Sequence, residues 1–235
     1  MLSIAAAEFR MLLRNRLVAL LGIVTPLALG AVLLLNEPSG DATGVIAVLQ
    51  VVIMSAMGVY LTGTTTLAAR RQTLFLKRLR SGAVRDGGIL AGLVLPVVLL
   101  STAQVTVVLA ALGFLASPPT HPWLLGVAVV SAQLMFAGLA LATAGATNSP
   151  EHAQVTTLPL LFTAIGAAFL VVTTDFEWLS WLKLALPGGA VAELTMLAWN
   201  GGELDGLAGM LAPSLIWAVV AVLAGRALLR WEPRV

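Results

Sequence analysis

Cysteine is absent from all 235 residues, so the chain has no disulfide framework, no thiol chemistry and no cysteine-based metal site. Charge is nearly as scarce: Asp, Glu, Lys and Arg together make up 10% of the residues, where roughly 25% is usual. A globular core cannot absorb the difference, because even a large soluble domain leaves much of its surface in water. With 59% apolar residues and a mean hydropathy of +0.99, most of the chain requires lipid as its solvent. His121 and His152 are the only histidines and both fall in predicted loops, too isolated to act as metal ligands. No G-x-x-x-x-G-K-[ST] occurs, so the chain has no P-loop with which to bind ATP. Any work it does must draw energy from a partner.

The apolar runs predict six membrane-spanning helices, at 17–35, 45–69, 89–116, 123–146, 155–174 and 207–229. None contains Asp, Glu or Lys, and Arg226 lies near the end of the last run, where its side chain can snorkel. The runs are continuously apolar, without the alternation a β-barrel strand needs. Breakers separate them, among them Ser117-Pro118-Pro119, Asn148-Ser149-Pro150 and Pro187-Gly188-Gly189. The opening is too long and too apolar, up to Leu35, for a secretory signal.

Charge sorting sets the orientation. Arg10, Arg14 and Arg16 precede the first run, Arg70, Arg71, Lys77, Arg78, Arg80 and Arg85 follow the second, and Arg226, Arg230 and Arg234 close the chain. With six spans, 12 of the 13 basic residues share one face and only Lys183 falls on the other. An odd number would destroy that sorting, so both termini are expected in the cytoplasm. The same distribution argues against a nucleic-acid partner, despite the net charge of +2. Trp123, Trp178, Trp181 and Trp199 fall at the expected outer boundary and Trp231 at the inner one, as an aromatic belt requires.

Three segments do not span. Residues 2–15 place Leu2, Ala5, Phe9, Leu12 and Leu13 on one arc and Arg10 and Arg14 opposite, which predicts an interfacial helix. Residues 70–88 form a basic cytoplasmic loop with a short helix at 73–80; basic charge beside a membrane is also what orientation alone produces. Between the last two spans, 178–186 and 190–199 predict two short helices dipping into the outer leaflet around Pro187-Gly188-Gly189.

Span interiors carry no carboxylate or histidine, which argues against an ion-coupled pump. Ser55, Ser101 and Ser131 have no His or Lys base among the spans, which argues against a serine hydrolase. Mild polarity is clustered instead. Gln50, Tyr60 and Thr62 in the second span and Thr156, Thr157 and Thr163 in the fifth could line a path for an amphipathic solute; Ser and Thr also serve as interhelical hydrogen-bonding groups.

The stretch Arg71-Gln72-Thr73-Leu74-Phe75-Leu76-Lys77-Arg78-Leu79-Arg80-Ser81-Gly82 resembles the cytoplasmic loop of ABC-2 type transporter permeases. That family reads acid-Arg-acid-x-Gly-Thr-Leu-Lys-Arg-Leu-Arg. Arg71, Leu76, Lys77, Arg78, Leu79 and Arg80 match, Arg70 and Gln72 replace the acids, and Leu74 and Phe75 replace Gly-Thr. Leu186-Pro187-Gly188-Gly189 is similar to the segment before the family's last span, and Arg230-Trp231-Glu232-Pro233-Arg234 to the tails of multidrug-type members from high-GC bacteria.

The resemblance implies an all-α, single-domain permease of residues 1–235 in a bacterial plasma membrane. A separate ABC ATPase would dock on Thr73, Leu76, Lys77, Arg78, Leu79 and Arg80, beside residues 2–16, and would bind the ATP and Mg, with no cofactor on this chain and no enzymatic site of its own. A second permease copy or homologue would complete a pathway exporting amphipathic drugs, antibiotics or lipid-like molecules. The competing expectations are a non-transport membrane protein, such as an immunity or assembly factor, and a passive channel.

Overall fold

The computed structural model describes residues 5–7, 9–11, 24–35, 40–75, 86–147, 149–173 and 180–228. Most of those residues are helical, 5–7 and 9–11 included, with no strand among them. The main helices in chain order are α1 (Thr25–Leu34), α2 (Asp41–Gln72), α3 (Asp86–Leu115), α4 (Pro122–Ala146), α5 (Pro150–Thr173), α6 (Ser180–Ala185), α7 (Gly189–Asn200) and α8 (Leu207–Leu228). Five of them, α2, α3, α4, α5 and α8, are long and apolar enough to cross a membrane. By length and composition this is a multi-pass membrane architecture. Of the expected first span, 17–35, the described helix is α1, too short to span, and residues 17–23 lie outside the described residues. The 2–15 helix is described only in part, and the bulk of the 70–88 loop lies outside.

Helix ends follow local chemistry. The Ser149 hydroxyl accepts the His152 N–H at 3.2 Å and Pro150 takes the first helical position, so Ser149-Pro150 of the 148–150 breaker is also the N-terminal cap of α5. α2 has 32 residues, about 48 Å at 1.5 Å per residue, against a hydrocarbon core of about 30 Å. It therefore projects beyond an apolar layer. Its last turn carries Arg70 and Arg71, and this end of the bundle is called the basic end below.

α4 is central, packed against α2, α3, α5, α7 and α8. Its seam with α8 is made of small residues: a Cβ on Gly138 would come 3.0 Å from the Ala218 carbonyl, and one on Gly225 would come 3.0 Å from the Leu141 Cβ. Without a water-driven force between helices in lipid, such backbone approach supplies the packing. The core includes Val51, Tyr60, Met135, Phe136 and Ala168. Outward faces are equally apolar, with Leu215, Ile216, Val219 and Leu223 on α8 and Val155, Phe162 and Phe169 on α5 exposed. Exposed apolar surface of that extent suits lipid and not water.

α6 and α7 form a hairpin that enters the bundle from the end opposite the basic one. Gly188 makes the turn with φ +97°, and a Cβ there would press on the Ala164 carbonyl at 3.0 Å. Ala164 lies nine residues from the end of α5 at Thr173, about 14 Å down that helix. A Cβ on Gly189 would overlap the Lys183 carbonyl, so the turn closes only on glycine. α7 packs on α2, α4, α5 and α8. Its last carbonyls are met by the 120–121 loop: Thr120 N–H and hydroxyl donate to Trp199 O at 3.1 and 2.9 Å, and His121 N–H to Ala198 O at 2.8 Å. Irregular backbone at such depth is tolerated because protein, not lipid, surrounds it.

Candidate functional site

Two polar regions stand out in an otherwise apolar bundle, one at the basic end and one inside. At the basic end, Arg71 is almost fully buried, 1% exposed, where α2 meets the end of α4. Its guanidinium donates to the carbonyls of Ala144 at 2.9 Å, Gly145 at 3.4 Å and Thr147. The last carbonyls of a helix lack partners and gather its negative dipole end. A planar cation with a fork of donors answers both needs at once. Arg71 thereby ties the start of the 70–88 loop to the joint between α4 and α5.

Arg70, beside it, places its guanidinium 5.4 Å from the Phe75 ring centre and donates to Met11 Sδ at 3.2 Å. The first contact is a cation–π pair. The second brings the N-terminal segment against the end of α2. Thr73 is exposed, its hydroxyl shared between the Ala69 and Arg70 carbonyls at 3.2 Å each. Leu74 follows with φ +57°, the one non-glycine in the left-handed region among the described residues. That conformation disfavours any residue with a Cβ. Thr73 is thus placed; Leu76, Lys77, Arg78, Leu79 and Arg80 lie outside the described residues.

Inside, α2 widens into a π-helical segment, Ala56–Leu61. The threonines that follow serve this segment's backbone. Thr62 donates to Met57 O at 3.0 Å, Thr64 to Tyr60 O at 2.6 Å and Thr65 to Leu61 O at 3.0 Å. π-segments interrupt the regular carbonyl pattern and recur at functional sites. The Tyr60 hydroxyl lies 3.1 Å from the Thr143 hydroxyl, and its ring centre lies 6.3 Å from that of Phe136.

The six residues expected to line a path are not brought onto one surface. Gln50, Tyr60, Thr62 and Thr157 are buried, whereas Thr156 and Thr163 are exposed. Thr156 donates to His152 O, Thr157 to Gln154 O and Thr163 to Pro159 O, all within α5. Their hydroxyls serve their own helix. Buried polarity instead draws in Gln133 of α4, whose Nε2 donates to the hydroxyls of Ser55 at 3.3 Å and Ser101 at 3.4 Å. A lone Gln in the apolar run 123–146 was the available signal for it.

Lys183, at 6% exposure, and half-buried Glu193 go into the α6–α7 hairpin, within the two short helices expected at 178–186 and 190–199. Burial raises the Glu193 carboxyl above its ordinary range, while the Lys183 charge pulls it down. Between α3 and α4 an apolar groove of about 530 Å³ is lined by Leu109, Phe114, Pro118, Val130 and the turns of Thr102 and Thr106. Both threonine hydroxyls are used within α3, on Val98 O and Thr102 O at 2.8 Å. Among the described residues no group of three or more His, Cys, Asp or Glu could hold a metal ion.

Comparison with known protein families, with curated proteins and with solved structures finds no match to this chain.

Proposed function

We propose that the chain is the permease subunit of an ATP-driven transporter of the ABC-2 type. The observation that carries the reading is the backbone at Leu74. In the sequence pattern that residues 70–80 resemble, this position is glycine, and here Leu adopts the left-handed conformation that glycine favours. A turn of that kind, directly after a helix that projects past the apolar layer, supports a docking loop for a separate ATPase. Arg71 adds the mechanical part. Its three carbonyl bonds make the end of α2 and the α4–α5 joint one unit, so a push on the loop is delivered to two spanning helices.

In this mechanism ATP binding closes the ATPase pair, the loop residues 73–80 move with it, and two permease copies tilt between inward- and outward-facing states. The chain supplies the path and the ATPase the energy. Apolar helices with sparse Thr, Gln and Tyr suit amphipathic drugs, antibiotics or lipid-like molecules. The protein sits in a bacterial plasma membrane with the basic end in the cytoplasm.

The test is to seek a reading frame with a P-loop and an LSGGQ-like signature beside the chain's own and to reconstitute the chain with that ATPase. Co-purification and ATP-dependent movement of hydrophobic drugs are expected, both lost in the Leu76→Asp/Leu79→Asp variant. Activity that persists without ATP refutes the reading and favours a channel or a binding factor.

A further inference from the structure

Three glutamines lie inside the bundle on three different helices. Gln50 of α2 is 1% exposed, Gln104 of α3 is 7% and Gln133 of α4 is 4%. Each retains polar atoms without a partner among the described residues: both side-chain atoms of Gln50, Nε2 of Gln104 and Oε1 of Gln133. Buried polar groups are nearly always hydrogen-bonded, to protein or to ordered water. In a lipid-embedded bundle bulk solvent offers no relief.

The geometry groups them. Gln133 Nε2 holds the Ser55 and Ser101 hydroxyls, and Ser101 in turn reaches Met54 O at 3.5 Å. Gln104 is three residues beyond Ser101, on the same side of α3. A further turn on is Val108, which touches the space beside Gly30 together with Gln50 Oε1: a Cβ on Gly30 would lie 3.2 Å from Val108 and 3.3 Å from that oxygen. The polar atoms therefore follow one seam between α2 and α3: Gln133 of α4 closes it at Ser55 and Ser101 beside the π-segment, Gly30 of α1 closes it at Gln50 and Val108, and Gln104 lies between along α3. Gly58 of the π-segment keeps the seam narrow, since a Cβ there would come 2.8 Å from Ser101 Oγ.

We propose that this seam is a water-binding site. The orphan set mixes acceptors, Gln133 Oε1 and Gln50 Oε1, with donors, Gln104 Nε2 and Gln50 Nε2. Water satisfies both kinds by donating to one and accepting from the other. A cation or an anion would satisfy only one, and among the described residues the seam has no carboxylate or base to balance it. Water here also lets the three helices exchange hydrogen bonds without stripping any group bare. The inference does not depend on the transport reading and survives its failure.

The test uses the full chain in lipid nanodiscs, labelled with ¹⁵N only at its five glutamines. Single Gln→Met variants assign the side-chain amides, and elimination covers any variant that does not fold. Exposed Gln72 and Gln154 serve as references. A water-to-amide cross-peak is expected at Gln50, Gln104 and Gln133. Its absence at any of these three, with the reference signals present, overturns the proposal. As a second measurement, Gln133→Met should lower Tm, because it removes the anchor shared by Ser55, Ser101 and water. A higher Tm marks a dry seam and likewise overturns it.

Discussion

Replacing Arg71 by Met keeps length and apolar bulk while removing five donors and a charge. Three carbonyls at the end of α4 then lose the guanidinium, while Ala144 O keeps the Thr147 hydroxyl at 3.2 Å. An orphaned buried acceptor costs about 1–3 kcal/mol, and a hydrogen bond to a charged group contributes about 1.5–3 kcal/mol. The three bonds share one side chain and are not additive, and the most distant, to Gly145 at 3.4 Å, is weak. A loss of about 3 kcal/mol follows, the lower part of the range for breaking a buried charged contact. For a chain of this size that corresponds to about 6–12 °C in Tm, taking about 2–4 °C per kcal/mol. The six tryptophans allow the melt to be followed by intrinsic fluorescence in detergent or nanodiscs. Arg71→Lys retains the charge but not the fork and should recover about half the loss. The reasoning is refuted if Arg71→Met melts within about 2 °C of wild type, or if Lys performs no better than Met.

Other substitutions probe the remaining contacts. Leu74→Gly releases a left-handed backbone at the cost of a side chain only 44% exposed, so its stability should stay within about 1 kcal/mol of wild type. Leu74→Val, β-branched in the same conformation, should fall about 1–2 kcal/mol below Leu74→Gly; equal stability of the two variants in chemical or thermal unfolding would falsify the turn argument. Gly138→Val should separate α8 from α4 and lose about 1–3 kcal/mol, whereas Gly126→Ala, which meets open space within α4, should gain about 0.5–1 kcal/mol. Because burial raises the Glu193 carboxyl, its folded-state value lies above the unfolded one. Its contribution is therefore complete at low pH and is lost as pH rises through the raised value. The Tm difference between wild type and Glu193→Gln should fall as pH rises from about 4. A flat difference would show that the carboxyl is solvated.

Much of the architecture was written in local composition. Apolar length alone placed α2, α3, α4, α5 and α8, since each span had to hide its backbone within itself and so needed no neighbour to define it. The hairpin turn at Pro187-Gly188-Gly189 was legible for the same reason, because a left-handed φ and a missing Cβ are properties of single residues. The roles of polar side chains were not legible. Thr156 and Thr163 lie on the exposed side of α5; which side that is depends on packing against other helices, and their hydroxyls bond backward into their own turn. Arg71 read as one more charge in a basic loop. Its burial is decided by where α4 ends, at a carbonyl 73 residues later. Gln50 read as a path-lining residue, and Gln104 and Gln133 as single polar residues in greasy runs. Only the crossing of three helices set them in one seam, because a 3.6-residue period does not say which neighbour its faces will meet.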